Sequence, residues 1–133
     1  MKKYNHTLII DDDPISCFIN QKMIETVELT QNMQVVNNGA EALNYIKSQY
    51  RPNGVEKENL DLIFLDLNMP VMDGFEFLQL FESLDERYWI NVDVVVLTSS
   101  NNQLDISSSN NHRVKAYLNK PLTTESLKKV FEY

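Results

Sequence analysis

Four short polar motifs in this sequence contain the residue types that metal and phosphate chemistry require. Three consecutive aspartates, Asp11 to Asp13, follow one apolar run, and a further aspartate, Asp66, follows another. Thr98 comes at the end of a third apolar run, and Lys120 follows a fourth. Carboxylates can hold a hard metal ion, whereas a hydroxyl group and a lysine can contact phosphate oxygens.

Carboxylates that are brought close together repel one another, and either protonation or a bound cation relieves the repulsion. Oxygen ligands without a nearby histidine or thiol favour Mg²⁺, which takes one or two carboxylates and completes its shell with water and phosphate. A lysine and a hydroxyl group opposite would contact the other oxygens of a phosphoryl group. Asp66 is the candidate nucleophile, because a carboxylate beside a metal ion can form an aspartyl phosphate.

The elements that must position these motifs alternate between strand and helix. Short apolar runs predict five strands, at Thr7–Ile10, Gln34–Val36, Leu60–Leu65, Val92–Leu97 and Val114–Leu118. Five βα repeats without an internal break predict an α/β fold with a doubly wound parallel sheet. Because ligands of such sheets bind at the carboxyl ends of the strands, the four motifs are predicted to share one crevice.

Helical patterns lie between the predicted strands. The first helix is predicted from Ile15, Phe18, Ile19 and Met23, which recur at helical spacing after a proline suited to a first turn. Further helices are predicted at Ala40–Gln49, after Gly74, within Ser99–His112 and at Thr123–Phe131. Serines and asparagines make the fourth of these five helices a poor one. The segment Tyr50–Asn59 is predicted to be a polar loop.

The composition is that of one globular domain. The chain has 133 residues, and 43% of them are hydrophobic, which is enough to bury a core and excludes overall disorder. Its 12 basic and 19 acidic residues give a net charge of −7, which argues against binding to nucleic acid or to an anionic membrane. No apolar run is long enough to span a bilayer, and the single cysteine, Cys17, cannot form an intramolecular disulfide. We therefore expect a cytoplasmic location.

Five segments of the sequence form a recognisable series: Ile9–Pro14, Asn38–Leu43, Leu65–Gly74, Leu97–Ser100 and Ala116–Pro121. In this order, and over nearly its whole length, the sequence resembles the receiver domain of two-component response regulators. The resemblance implies a (βα)5 flavodoxin-like fold with strand order 2-1-3-4-5. It also implies that residues 1–133 form a single stand-alone receiver without an output domain, acting as a signalling switch and not as an enzyme with a separate substrate.

The resemblance implies a role for each residue at the strand ends. Asp66 would accept a phosphoryl group from a histidine kinase or a phosphotransfer protein. Asp12 and Asp66 would ligate Mg²⁺ directly, Asp11 would act mostly through water, and Asn68 would contribute its main-chain carbonyl. Phosphorylation would change the binding of a downstream protein, whose identity the sequence does not indicate.

Three further residues acquire roles from the same resemblance. Thr98 would hydrogen-bond to the bound phosphoryl group, and Lys120 would form an ion pair with it. Tyr117 matches the family's switch aromatic, which turns inward when the threonine moves. The bond between Lys120 and Pro121 would be cis, a form that about one in twenty such bonds adopts in folded proteins.

Two other functions compete with the receiver. A haloacid-dehalogenase-like phosphatase would use Asp11 and Asp13 as nucleophile and acid, with Thr98 and Lys120 as its later motifs. That interpretation leaves Asp66 without a role, and few residues follow Lys120 to supply a further acidic metal motif. A degenerate receiver that serves as a protein-binding scaffold would lack Asp66, Lys120 or the acidic pair, and the sequence retains all of them.

Several residues also have simpler structural interpretations. Asp13 is expected to be solvated surface, and Tyr117 on its own would be explained by core packing. Asp73-Gly74 predicts a turn and the start of a helix. Tyr88 and Trp89 are expected to anchor the connection between the third predicted helix and the fourth strand.

Overall fold

The computed structural model describes residues 3–49, 59–99 and 114–132, and these form a parallel five-stranded sheet with helices on both faces. The strands are β1 (Tyr4–Ile10), β2 (Thr30–Val36), β3 (Leu62–Asp66), β4 (Asp93–Thr98) and β5 (Ala116–Asn119). Their order across the sheet is β2-β1-β3-β4-β5. The predicted doubly wound α/β fold with strand order 2-1-3-4-5 is therefore confirmed.

Four helices lie in the described part of the chain. They are α1 (Pro14–Thr26), α2 (Gly39–Gln49), α3 (Gly74–Ser83) and α4 (Thr124–Phe131), and a short 3-10 turn covers Glu86–Tyr88. Four of the five predicted helices are confirmed. The helix predicted within Ser99–His112 falls outside the described residues except for Ser99, and the loop predicted at Tyr50–Asn59 does so except for Asn59.

Side-chain caps fix where the helices begin. A carboxylate oxygen of Asp73 accepts the main-chain N–H of Glu76 at 2.9 Å, which confirms the helix start predicted at Asp73-Gly74. Asp13 is exposed, as expected, and its carboxylate also accepts the N–H of Ile15 at the start of α1. Thr123 caps α4 through a reciprocal pair of hydrogen bonds with Ser126.

The core has two layers, one on each face of the sheet. The layer beneath α2 and α3, here called the α2–α3 cluster, includes Phe77 and Phe81, whose rings stack with centroids 5.6 Å apart. The layer beneath α1 and α4, here called the α1–α4 cluster, includes Ile24 and Phe131. The inner strands β3 and β4 between the two layers are buried and, apart from residues at their ends, apolar, as is typical of a parallel sheet that helices cover on both faces.

Helix α1 packs differently from what its apolar pattern suggests. The spacing of its apolar residues correctly predicts a helix, but Ile15 is 72% exposed and Phe18 is 61% exposed. The buried residues of α1 are instead Cys17, Asn20 and Ile24. Pattern alone therefore finds this helix without finding its inner face.

Strand β2 begins four residues earlier than predicted. Its first half is polar, with exposed Gln31 and Asn32, so the sequence signal covers only Gln34–Val36. The strand forms because its backbone pairs with β1 from Thr30 opposite Tyr4 onwards. Because β2 is an edge strand, part of it is open to solvent, and exposed polar residues such as Gln31 and Asn32 are tolerated there.

The connection between α3 and β4 is anchored as predicted. The indole N–H of Trp89 donates to the carbonyl of Leu84 at 3.0 Å, and both Tyr88 and Trp89 pack against the α2–α3 cluster. No helix in the described ranges combines the length and the apolar character that crossing a membrane requires.

Candidate functional site

Three carboxylates meet at the carboxyl edge of the sheet. Asp11 follows β1 and Asp66 ends β3, and these two strands are neighbours, with Ile10 paired to Leu65. Oxygen atoms of Asp11, Asp12 and Asp66 all lie within 4.8 Å of one another. Asp11 and Asp66 are buried, whereas Asp12 is exposed. The predicted acidic crevice is therefore present, and one of its members faces solvent.

The carboxylate of Asp11 is held by donors on both oxygens. Its Oδ1 accepts the main-chain N–H of Asp13 at 2.9 Å, and its Oδ2 accepts the hydroxyl of Ser16 at 2.6 Å. The thiol of Cys17 donates to the main-chain carbonyl of Asp11 at 3.4 Å. A fully buried carboxylate needs such partners, because burying the charge without them is costly.

Asp66 and Asp11 share one cation. The ammonium nitrogen of Lys120 lies 3.1 Å from Oδ2 of Asp66 and 3.3 Å from Oδ2 of Asp11. The other oxygen of Asp66 accepts the main-chain N–H of Asn68 at 3.0 Å. The lysine therefore bridges two carboxylates that would otherwise repel each other across the crevice.

Burial and the interactions between neighbouring charges together set the pKa values of this group. It raises the pKa of Asp66 above its usual range, and the neighbouring Asp11 raises it further, against the opposing effects of the Asn68 N–H and of Lys120. Burial lowers the pKa of Lys120, but attraction to Asp66 and Asp11 outweighs it and leaves the pKa above the ordinary lysine value. Burial and nearby carboxylates raise the pKa of Cys17 to about 11, so this thiol stays protonated at neutral pH.

Thr98 and Tyr117 lie on adjacent strands at the same face of the sheet. Thr98 ends β4 and is buried, while Tyr117 is half-buried and packs against the α2–α3 cluster. Tyr117 pairs with Val96 and Asn119 pairs with Thr98, so the two side chains are two ladder positions apart. The main-chain N–H of Lys120 donates to the carbonyl of Thr98 at 2.8 Å, which ties the lysine to the threonine.

The bond between Lys120 and Pro121 is cis, as predicted. The side chain of Asn68 is exposed, and its amide donates to the hydroxyl of Ser99 at 3.2 Å, which links the ends of β3 and β4. All the residues predicted for the site therefore lie at one edge of the sheet, with Tyr117 set back along β5.

Sequence reasoning did not identify Ser16 or Asn20 as neighbours of the site. It placed Ser99 at the end of the fourth strand, next to Thr98, but gave Ser99 no role of its own. Ser16 and Asn20 carried a weaker signal: two polar residues four apart, in a helix that is otherwise apolar along its first turns. Two polar residues four apart point to a site only if they lie on the buried face of the helix. The sequence did not show which face of this helix is buried.

The model of the response regulator receiver domain matches residues 7–132 of this chain. The chain belongs to the response regulator receiver family. It is therefore a receiver domain of two-component signalling, a family whose members act as signalling switches. The matched range includes every residue of the acidic crevice and the lysine that bridges it.

Named relatives of this receiver include both separate regulators and parts of kinases. It is 28% identical over 126 residues to response regulator Rcp1 of Synechocystis, covering 94% of this chain and 82% of Rcp1. It is 25% identical over 122 residues to probable histidine kinase 2 of Oryza sativa subsp. indica, covering 88% of this chain but only 12% of the kinase. The receiver thus spans about an eighth of that kinase.

Solved structures show the same fold. The crystal structure of a two-component response regulator from Cytophaga hutchinsonii superposes with a TM-score of 0.85 and 28% sequence identity, covering 99% of this chain and 96% of that one. The receiver architecture therefore extends over nearly the whole chain.

Proposed function

We propose that this receiver is a phosphorylatable switch in which Asp66 accepts a phosphoryl group from the phosphohistidine of a histidine kinase or of a phosphotransfer protein. The observation that carries the proposal is the environment of Asp66, a buried carboxylate that shares Lys120 with a second buried carboxylate, Asp11. Burying two carboxylates side by side lowers the stability of the fold, and such pairs are typical of functional sites. A role in phosphoryl transfer accounts for this pair.

In the proposed reaction an oxygen of Asp66 attacks phosphorus while the bond from phosphorus to the donor histidine nitrogen breaks. The electron pair of that bond stays on the imidazole, and the product is an acyl phosphate on Asp66. Lys120, which lies 3.1 Å from the Asp66 carboxylate, is within reach of the incoming phosphoryl oxygens. The N–H of Asn68 keeps the other Asp66 oxygen oriented during the attack.

The donor set of the crevice fits Mg²⁺. Three carboxylates have oxygens within 4.8 Å of one another, and the nearby Cys17 stays a thiol and does not compete as a ligand. Asp12, Asp66 and the main-chain carbonyl of Asn68 would bind the ion directly, and Asp11 would act mostly through water. When bound, the ion would neutralise charge on the phosphoryl oxygens.

Thr98 and Tyr117 would carry the change away from Asp66. Thr98 would turn its hydroxyl towards the phosphoryl group, and Tyr117 would fill the space beside it. Their placement on neighbouring strands, with Tyr117 against the apolar α2–α3 cluster, supports this coupling. The changed surface would be recognised by a downstream protein, in a cytoplasmic setting.

The phosphatase alternative receives no comparable support. It requires the carboxylate of Asp13 as an acid within the site, but that group caps α1 through the N–H of Ile15 and the residue is exposed. It also leaves the bridged carboxylate of Asp66 unused. The scaffold alternative would not need the bridged acidic pair that this chain retains.

The test is intact mass spectrometry after incubation with a small acyl-phosphate donor, with and without Mg²⁺. We expect a gain of one phosphoryl group that requires Mg²⁺ and is lost on mild base treatment. Asp66→Ala should abolish the gain, whereas Asp13→Asn, which keeps the helix cap, should leave it unchanged. If the Asp66→Ala variant still gained a phosphoryl group, the assignment of Asp66 as the acceptor would be wrong.

A further inference from the structure

A polar path runs from the acidic crevice into the buried face of α1. The hydroxyl of Ser16 donates to Oδ2 of Asp11 at 2.6 Å, and the side-chain amide of Asn20 points its nitrogen at the Ser16 hydroxyl oxygen at 3.5 Å. Asn20 is fully buried. Ser16 thus stands between a buried carboxylate and a buried amide, and can accept from one while it donates to the other.

Asn20 is an unfavourable residue for stability at this position. Its side-chain oxygen is buried and has no hydrogen-bond partner within the described residues. Such a group costs free energy that an apolar residue of similar size would not cost. The orientation of the amide is consistent with its neighbours, because the single Ser16 proton is already donated to Asp11 and only the amide nitrogen can then face Ser16.

Resting on the proposed function, we infer that Ser16, oriented by Asn20, is a positioning residue that sets the Mg²⁺ affinity of the crevice through Asp11. Lys120 contacts the same Asp11 oxygen, but it is also drawn to Asp66 and would turn to a phosphoryl group there. Ser16 is then the side-chain donor that stays on Asp11 Oδ2 in each state. Groups that orient metal-site ligands commonly change metal affinity when they are removed.

Ser16 also determines how Asp11 can act. With Ser16 and Lys120 on Oδ2 and the Asp13 N–H on Oδ1, the carboxylate is fixed in one orientation before any ion arrives. A carboxylate held in one orientation would also order the water through which it contacts the ion. The entropic cost of binding the ion is then smaller. Without the Ser16 hydroxyl, that orientation would depend on Lys120 alone for Oδ2.

The first test compares Mg²⁺ affinity by isothermal titration calorimetry in the wild-type chain and in three variants. Ser16→Ala should bind Mg²⁺ about tenfold more weakly than the wild type. Ser16→Thr keeps the hydroxyl and should restore most of the affinity. Ser83→Ala is the matched control, because the Ser83 hydroxyl donates to a carbonyl within α3 and lies outside the crevice. It should bind Mg²⁺ like the wild type.

A fourth variant separates a positioning role from a structural role. Asn20→Leu removes the unpaired amide, so the melting temperature without Mg²⁺ should stay equal or rise. Mg²⁺ affinity should nevertheless fall about threefold, because Ser16 loses its orienting neighbour. A purely structural residue would instead lower the melting temperature and leave the affinity of the folded protein unchanged.

Wild-type affinity in Ser16→Ala, or equal loss in Ser16→Thr and Ser16→Ala, would overturn the inference. If the wild type still takes up a phosphoryl group in that case, the role of Ser16 fails alone and the proposed function stands. If the wild type neither binds Mg²⁺ nor accepts a phosphoryl group, both fail. Weaker binding confined to Ser16→Ala and Asn20→Leu would establish the positioning role.

Discussion

Helices α1 and α3 flank the acidic crevice from opposite faces of the sheet, and they are built on different principles. The inner face of α3 is apolar, with Phe77 and Phe81 stacked and buried. The inner face of α1 includes a fully buried asparagine and a serine bonded to Asp11, while Phe18 on its outer face is mostly exposed. Helix α3 therefore serves mainly to stabilise the fold, whereas the inner face of α1 forms part of the site.

The contrast indicates where stability and function reside. Burial of the α3 side chains contributes free energy in proportion to the apolar area removed from water. Polar residues on the inner face of α1 give up part of that gain and hold a carboxylate instead. Substitutions in α3 should therefore change mainly stability, and substitutions in α1 mainly the properties of the crevice.

The largest expected effect is at the centre of α3. Phe77→Ala should lower the free energy of unfolding by about 3–5 kcal/mol, because a fully buried ring is lost and a cavity remains. Urea denaturation followed by circular dichroism would measure it. A loss below 1 kcal/mol would contradict the view that α3 is the stabilising helix.

The start of α3 is packed directly against the strand that ends in Asp66. A Cβ added at Gly74 would lie 2.8 Å from the Cα of Leu67 and 3.0 Å from the carbonyl oxygen of Asp66. Gly74→Ala should therefore cost about 1–3 kcal/mol. It should also slow phosphorylation, since the backbone beside the acceptor must shift.

Gly39→Ala is the matched control for that experiment. The three atoms nearest to a Cβ added there all belong to the side chain of Met72, a flexible group that can move aside. Its denaturation midpoint should fall less than that of Gly74→Ala. If both variants lowered the denaturation midpoint equally, the close backbone contact at Gly74 would not be the cause of its effect.

The crevice should make stability depend on pH in a defined direction. Because the pKa of Asp66 is raised in the folded protein, the folded state binds more protons than the unfolded state between the ordinary carboxyl pKa and the raised value. Stability is therefore lost as pH rises through that window. Asp66→Asn should flatten this dependence and raise stability at neutral pH by about 1 kcal/mol.

Thermal melts from pH 4 to pH 8, without Mg²⁺, would measure the effect. Asp61→Asn is a comparison at a carboxylate outside the crevice, one that accepts main-chain N–H groups of β1. A neutral amide oxygen is a weaker acceptor than a carboxylate, so this variant should lose stability at neutral pH. If Asp66→Asn also lost stability, the electrostatic account of the crevice would be wrong.

The smallest expected effect is on the outer face of α1. Phe18→Ser should change the free energy of unfolding by no more than about 0.5 kcal/mol, because the ring is mostly exposed. The same denaturation assay used for Phe77→Ala provides the direct comparison. A loss above 1 kcal/mol would mean that α1 draws stability from this face after all.

The sequence predicted the elements better than it predicted their packing. The apolar runs located all five strands, and parallel pairing then placed Asp11 and Asp66 side by side. The start of β2 was missed because hydrogen bonding to β1, and not side-chain pattern, extends a polar edge strand to Thr30. Pairing with a distant segment is invisible to a local pattern.

The site was predicted in its residues but not in its connections. The carboxylates and the lysine were identified from their residue types and from the resemblance, because the residues at the ends of predicted strands can be seen in the sequence. That one ammonium group contacts both buried carboxylates follows only from the three-dimensional arrangement. The inner face of α1 was missed for a physical reason: helical periodicity assumes that apolar residues face inward, and Ile15 and Phe18 do not.

The bridging lysine has a consequence for encounters between this protein and its phosphoryl donors. With all groups ionised, three carboxylates and one ammonium group give the crevice a net charge of −2. A divalent cation would bring that local field to zero, so an anionic donor would meet a neutral entrance on an otherwise acidic surface. The association rate should consequently rise with Mg²⁺ by more than general screening by a monovalent salt of equal ionic strength can produce.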